Sequence, residues 1–166
     1  NRLVLKEMFD NETFQEFSIP IIELEEKETR IPQLIHNISI SVNVLDLKKA
    51  VMSADSVSKS VAFAFENNQL TAEAIGDLNR VKVFIPHNTP DEIIKEATSQ
   101  KSKYSLEYMC MYFKTFKDEI PVDKVLLEFS KDYPLKLTFK PSQPNISINE
   151  TDWELSFILA PRVEND

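Results

Sequence analysis

Few side chains here can act as nucleophiles, bases or metal ligands: one cysteine, Cys110, and two histidines, His36 and His87, in 166 residues. A thiolate–imidazole pair would need one of those histidines against Cys110, and both fall in loop-like stretches far from it along the chain. Cys110 sits in an apolar pattern with Leu106, Met109 and Phe113, where a thiol behaves as a small buried hydrophobe. Glu25-Glu26 and Asp118-Glu119 are adjacent carboxylates, but charges in polar loops stay solvated and do not make a tuned acid or base. No cluster has metal-ligand spacing. Met109 and Met111 read as packing residues, as does Trp153 at the start of a strand. The expectation is a protein that works through surfaces, with no enzymatic role, no cofactor and no metal.

Glycine usage narrows this further. Gly76 is the single glycine, and phosphate cradles, dinucleotide turns and nucleophile elbows all need glycine where backbone approaches a ligand or takes positive φ. The net charge of −8 argues against a surface uniformly coated by nucleic acid, while leaving room for a local basic face. No apolar run approaches the ~18 residues of a membrane helix, and no leader pattern precedes the first residue, so a soluble intracellular protein is expected. A lone cysteine fits a reducing compartment. The glycosylation-type triplets at Asn11, Asn37, Asn145 and Asn149 read as polar turns.

The elements that must build those surfaces follow from periodicity. RLVLKEMF and FQEFSIPII alternate around Asp10-Asn11 as a hairpin, which cannot bury its face alone, so the chain is expected to begin inside a larger structure. The acidic stretch Glu23–Leu34 reads as an exposed connector. ISISVNVL alternates as a strand from Ile38, and Leu47, Ala50, Val51 and Ala54 then recur at helical spacing. VAFAF (61–65), a turn at Asn67-Asn68, LTAEAI (70–75) and RVKVFI (80–85) follow as three strands. The order repeats: a helix marked by Leu106, Met109, Cys110 and Phe113, then VLLEF (125–129), a turn at Lys131-Asp132, LKLTF (135–139) and LSFIL (155–159). The segment between the two units reads as a polar loop leading into the second helix. Duplicated strand–helix–three-strand units predict an α+β fold with two helices on one side of a continuous antiparallel sheet.

SKYSLEYM (102–109), DYPLKLTF (132–139) and FILAPRVE (157–164), with FSIPIIELEE (17–26) and LTAEAIGDLNRVKV (70–83), resemble the archaeal-type DNA sliding clamp, proliferating cell nuclear antigen. The resemblance covers nearly the whole chain and corresponds to the C-terminal part of a subunit. It implies a remnant hairpin of the N-terminal clamp domain at 1–22, an interdomain connector at 23–36 and a C-terminal clamp domain at 37–166. It also implies a trimeric ring, homomeric or heteromeric, that encircles duplex DNA without reading sequence. Such a ring tethers DNA polymerase, clamp loader, flap endonuclease and ligase, in the cytoplasm and nucleoid, or the nucleus if eukaryotic, with no membrane partner.

Residue by residue, the resemblance places Lys48 and Lys49 of the first helix toward DNA, with Lys114 and Lys117 of the second. The second helix offers only a thin basic lining, since Glu107, Tyr108 and Met111 stand on its outer side. Clamps hold a short client motif in an apolar pocket between connector and tail. Here the connector would supply Ile31 and Pro32, the DYPL turn Pro134, and the tail Ile158, Ala160 and Pro161 beside Arg162. Proline would hold the strand end open and alanine keep the floor low. Subunits would meet along two edge strands, one carrying Phe17, Ile19 and Ile21, the other Arg80, Val81, Val83 and Ile85. Thr29 stands where many clamps place a larger apolar residue. A heteromeric or checkpoint-type clamp subunit therefore stays open, as does a stand-alone peptide-binding module without a DNA role.

Overall fold

The computed structural model describes residues 2–8, 13–21, 33–88, 99–115, 122–140 and 153–162. In chain order the elements are β1 (Arg2–Met8), β2 (Phe14–Pro20), β3 (Ile38–Asn43), α1 (Val44–Asp55), β4 (Ser60–Glu66), β5 (Gln69–Ile75) and β6 (Arg80–Ile85). There follow β7 (His87–Asn88), β8 (Gln100–Ser105), α2 (Leu106–Thr115), β9 (Lys124–Phe129), β10 (Leu135–Phe139) and β11 (Leu155–Leu159). Contacts divide the chain into two units, residues 1–33 and 34–166.

The first unit is the expected hairpin, β1 antiparallel to β2 from Arg2↔Pro20 to Met8↔Phe14. Leu3 faces Ile19 and Leu5 faces Phe17 across the ladder, while Lys6 is paired with Glu16 both by register and by a 3.2 Å ion pair. The connector stretch 22–32 lies outside the described residues.

In the second unit the switch from strand to helix occurs at Asn43. Its side-chain Oδ1 accepts from the backbone N–H of Leu45 at 2.8 Å and Asp46 at 3.3 Å, satisfying two of the donors that a helix start leaves open. The apolar stripe Leu47, Ala50, Val51, Ala54 is fully buried, and so are Leu106, Met109 and Phe113 of α2, with Cys110 a buried free thiol among them. The helices pack on each other, and α1 lies against β3 to β6. With so little glycine, side chains take the left-handed turn positions: Asn67 and Asn68 have φ of 52° and 59°, and Asp132 has 51°. Asn and Asp tolerate that region best after glycine, because their short polar side chains bond locally.

Among the described residues of the second unit the strands form two sheets instead of one continuous sheet, ordered β11-β10-β9-β3-β7 and β6-β5-β4-β8. The two repeats exchange their first strands. β3 leaves its own unit to pair with β9, from Ile38↔Phe129 to Asn43↔Lys124, and β8 pairs in return with β4, from Ser60↔Ser105 to Phe65↔Gln100. Alternation along a strand specifies which side chains face the core and not which strand lies alongside, so the exchange is invisible to periodicity. β8 is also a strand where a polar loop leading into the helix was expected. Its inward positions are Gln100, Ser102 and Tyr104, all buried, so no apolar alternation marks it.

Tyr104 shows why so polar a strand holds its place. The ring is fully buried against Phe63, with centroids 6.2 Å apart, and its hydroxyl donates to the Tyr133 carbonyl at 2.8 Å, tying β8 to the turn before β10. Burial pushes its phenol up to about 12 from the ordinary 10.0. The folded state thus holds a proton that the unfolded chain releases first, so stability is present in full below pH 10.0 and is lost as pH rises toward about 12. Tyr104→Phe should cost about 1 kcal/mol at neutral pH and flatten this alkaline decline. Urea unfolding of both proteins across alkaline pH checks it, and an unchanged slope in the variant would assign the decline to other groups.

Candidate functional site

The end of β11 is where the surface residues expected from sequence converge. Ile158 is exposed, Leu159 is buried in the core, Ala160 is exposed and Pro161 half-buried. The backbone N–H of Arg162 donates to the Lys103 carbonyl at 2.7 Å, and its guanidinium Nη1 reaches the Lys59 carbonyl at 3.4 Å. The tail is therefore stitched from the edge of one sheet onto β8 of the other. That stitch leaves an exposed Ala160 and a half-buried Pro161 as a step between them.

Pro134 belongs to the same corner. Leu135 pairs with Leu159, so the register sets Pro134 beside Ala160 at one end of the β10–β11 ladder. Its turn is held by a histidine that the sequence alone places in a loop-like stretch. His36 is buried, its Nε2 lies 2.9 Å from the Pro134 carbonyl, and its ring meets Tyr133 edge-on at 5.6 Å. The one available signal was a histidine among apolar neighbours just before a strand. Ile31 and Pro32 lie outside the described residues.

On the helices, Lys49 is exposed and Lys48 half-buried on α1. Lys114 falls within α2 without a described side chain, and Lys117 lies outside the described residues. Leu45 and Met52 are exposed beside Lys48 and Lys49 on α1, while the exposed side chains described on α2 are Glu107, Tyr108 and Met111.

β6 is an edge strand of its sheet. Arg80, Lys82 and Phe84 are exposed, and Val81 and Val83 are half-buried against the core. Ile85 is 3% exposed and belongs to the core, so its side chain is not a contact that an edge can offer. Position six of a strand whose odd positions face out necessarily turns inward. In the hairpin Phe17, Ile19 and Ile21 are each about half exposed on β2 and the residue after it. Among the described residues no three His, Cys, Asp or Glu side chains could together hold a metal ion, and no helix is long and apolar enough to cross a membrane.

PCNA from Thermococcus kodakaraensis superposes on 98% of this chain with a TM-score of 0.72 at 26% identity, the match covering 61% of that chain. The fold is the sliding-clamp fold. A. fulgidus PCNA, solved with the C-terminal region of FEN-1 bound, matches 99% of this chain at a TM-score of 0.69 and 25% identity, over 66% of its own length. In sequence, the DNA polymerase sliding clamp of Methanococcoides burtonii is 33% identical over 140 residues, 84% of this chain and 52% of that clamp. DNA polymerase sliding clamp 1 of Thermococcus kodakarensis is 27% identical over 159 residues, 94% of this chain and 59% of that clamp. The chain thus spans a little over half the length of the curated clamps it matches. No protein-family model matches it. The resemblance to archaeal sliding clamps read from the sequence holds, and the α+β clamp architecture with it.

Proposed function

We propose that the chain is the C-terminal part of a sliding-clamp subunit, which in a trimeric ring encircles duplex DNA and tethers replication and repair proteins through its tail corner. The observation that carries this reading is the strand-exchanged pair of repeats matching archaeal PCNA over nearly the whole chain. Residues 1–22 would then be a hairpin of the N-terminal clamp domain, 23–36 the connector and 37–166 the C-terminal domain. Processivity of this kind is topological. A ring that does not read bases needs only weak, non-specific attraction inside, so Lys48, Lys49, Lys114 and Lys117 suffice and the outside can stay acidic.

Clients would seat an apolar turn against Pro134, Ile158, Ala160 and Pro161, with Arg162 at the rim and Ile31 and Pro32 as the share that the resemblance assigns to the connector. DNA polymerase, clamp loader, flap endonuclease and ligase are the client classes; the FEN-1 segment bound to A. fulgidus PCNA supports the endonuclease. β6 would add to the β2 edge of a neighbouring subunit, Phe17, Ile19 and Ile21 meeting Arg80, Val81 and Val83, with Ile85 contributing backbone alone. Such a protein acts without turnover chemistry, in the cytoplasm and nucleoid of an archaeal cell.

Calorimetric titration with a synthetic clamp-binding peptide tests this. Saturable binding is expected, weakened at least about tenfold by Ala160→Arg, because a long cation would fill the step the peptide occupies. Saturable binding indifferent to Ala160→Arg would remove the tail corner from the client site.

A further inference from the structure

The outward side of the four-stranded sheet carries a second surface, which meets the tail corner at Arg162 and the β6 edge at Arg80. Along β4 the residues facing away from the core are Ser60, Ala62 and Ala64, all small; Ala62 lies between Glu73 on β5 and Lys103 on β8, and Ala64 beside Lys101 on β8. Small residues between long ones make a trough along β4. It comprises two adjoining cavities of about 570 and 310 Å³ that share Glu73 and Lys101.

Its charge runs against that of the molecule. Arg80, Lys82, Lys101, Lys103, Lys131 and Arg162 line it, against Glu66, Glu73 and Asp132, in a chain of net charge −8. Glu73, at the centre, shows how this face holds a carboxylate. Arg80 engages Oε1 through Nε at 2.6 Å and through Nη2, while Lys101 Nζ lies 3.4 Å from Oε2. Burial acts to raise the Glu73 carboxyl, but the hydrogen bonds from Arg80 and Lys101 outweigh it and hold the group below the ordinary carboxylate value.

We propose that this trough is a docking site for an extended acidic segment of a partner protein. An incoming carboxylate would take the cations on the β8 side, Lys103, Lys131 and Arg162, in the manner in which Glu73 already takes Arg80 and Lys101. A nucleic-acid strand fits the trough less well. Among the described residues no aromatic side chain lines either cavity to stack a base, and an unbroken row of phosphates would meet Glu66, Glu73 and Asp132. In an extended peptide alternate side chains point the same way about every 7 Å, so acidic and neutral residues can be matched to the cations and carboxylates in turn. The proposal rests on the relief and charge of this face, and it shares only Arg162 and Arg80 with the client corner and the β6 edge of the clamp reading.

The test is fluorescence anisotropy of a labelled peptide of alternating Glu and Ser, at low salt, on the whole chain. Saturable binding is expected, weakened roughly fivefold by Lys103→Ala with Lys131→Ala, which removes two partly exposed charge contacts. Lys124→Ala with Lys140→Ala removes the same charge elsewhere and should leave binding unchanged. Peptide-dependent amide shifts in the unsubstituted chain should centre on Ser60, Ala62 and Lys101. Equal weakening by both pairs would mean attraction by net charge alone and overturn the proposal. So would no binding, shifts elsewhere, or an oligothymidylate that binds more tightly through the same two lysines.

Discussion

Phe63→Ala is expected to destabilise the domain by about 3–5 kcal/mol, a large share of the roughly 5–15 kcal/mol that a domain commands. Phe63 is fully buried on β4, and its ring lies 6.2 Å from Tyr104 on β8 and 6.4 Å from Phe129 on β9. It therefore touches both sheets: Tyr104 is its neighbour within one, and Phe129 belongs to the other. Truncation leaves a cavity where the sheets meet, ringed by aromatic groups too rigid to collapse into it. Urea denaturation followed by far-UV circular dichroism should show the midpoint falling steeply or the folded baseline lost. A loss below about 1.5 kcal/mol would mean that the site relaxes and that other contacts couple the sheets.

Gly76→Ala should cost about 2 kcal/mol although it adds only a methyl group. An added Cβ would meet the Val57 carbonyl oxygen at 2.4 Å and the Asn79 Oδ1 at 2.8 Å. The first is backbone, fixed by the end of α1, where the Val57 N–H bonds to the Ala54 carbonyl at 3.0 Å. The Gly76 N–H meanwhile donates to the Asn79 carbonyl at 2.8 Å, closing the β5–β6 loop down on the helix end. The single glycine is thus required for close approach and not for a left-handed φ. Thermal unfolding of the variant checks this, and an unchanged midpoint would show that the loop lifts away freely.

Much of this architecture was legible. The stripes on α1 and α2 and the turns at Asn67-Asn68 and Lys131-Asp132 stand in the sequence, whereas the alternation of ISISVNVL runs on to Leu45, past the helix start at Val44. What could not be read is partnership. Gln100, Ser102 and Tyr104 bury the inward side of β8 without an apolar signature, and nothing in β3 announces that β9 is its neighbour. At the candidate site, Ala160, Pro161 and Pro134 were found through family likeness and chain order. The tether from Arg162 to the Lys103 carbonyl and the support of Pro134 by His36 join residues distant in sequence, which a local pattern cannot encode. Ile85, which the resemblance places on the edge, has its side chain in the core, because the last position of β6 turns inward.

The exchange of first strands also governs how the domain comes into being. Asn37, the residue before β3, bonds through its N–H to Ser130 across 93 residues, and Arg162 reaches Lys59 across 103. Closing loops of that length costs entropy before any ladder repays it, which places the domain among high-contact-order, slow folders. During synthesis β3 emerges long before β9, so its ladder waits until the second repeat has left the ribosome. Neither repeat can serve as an autonomous folding module, because each lacks the strand that the other holds.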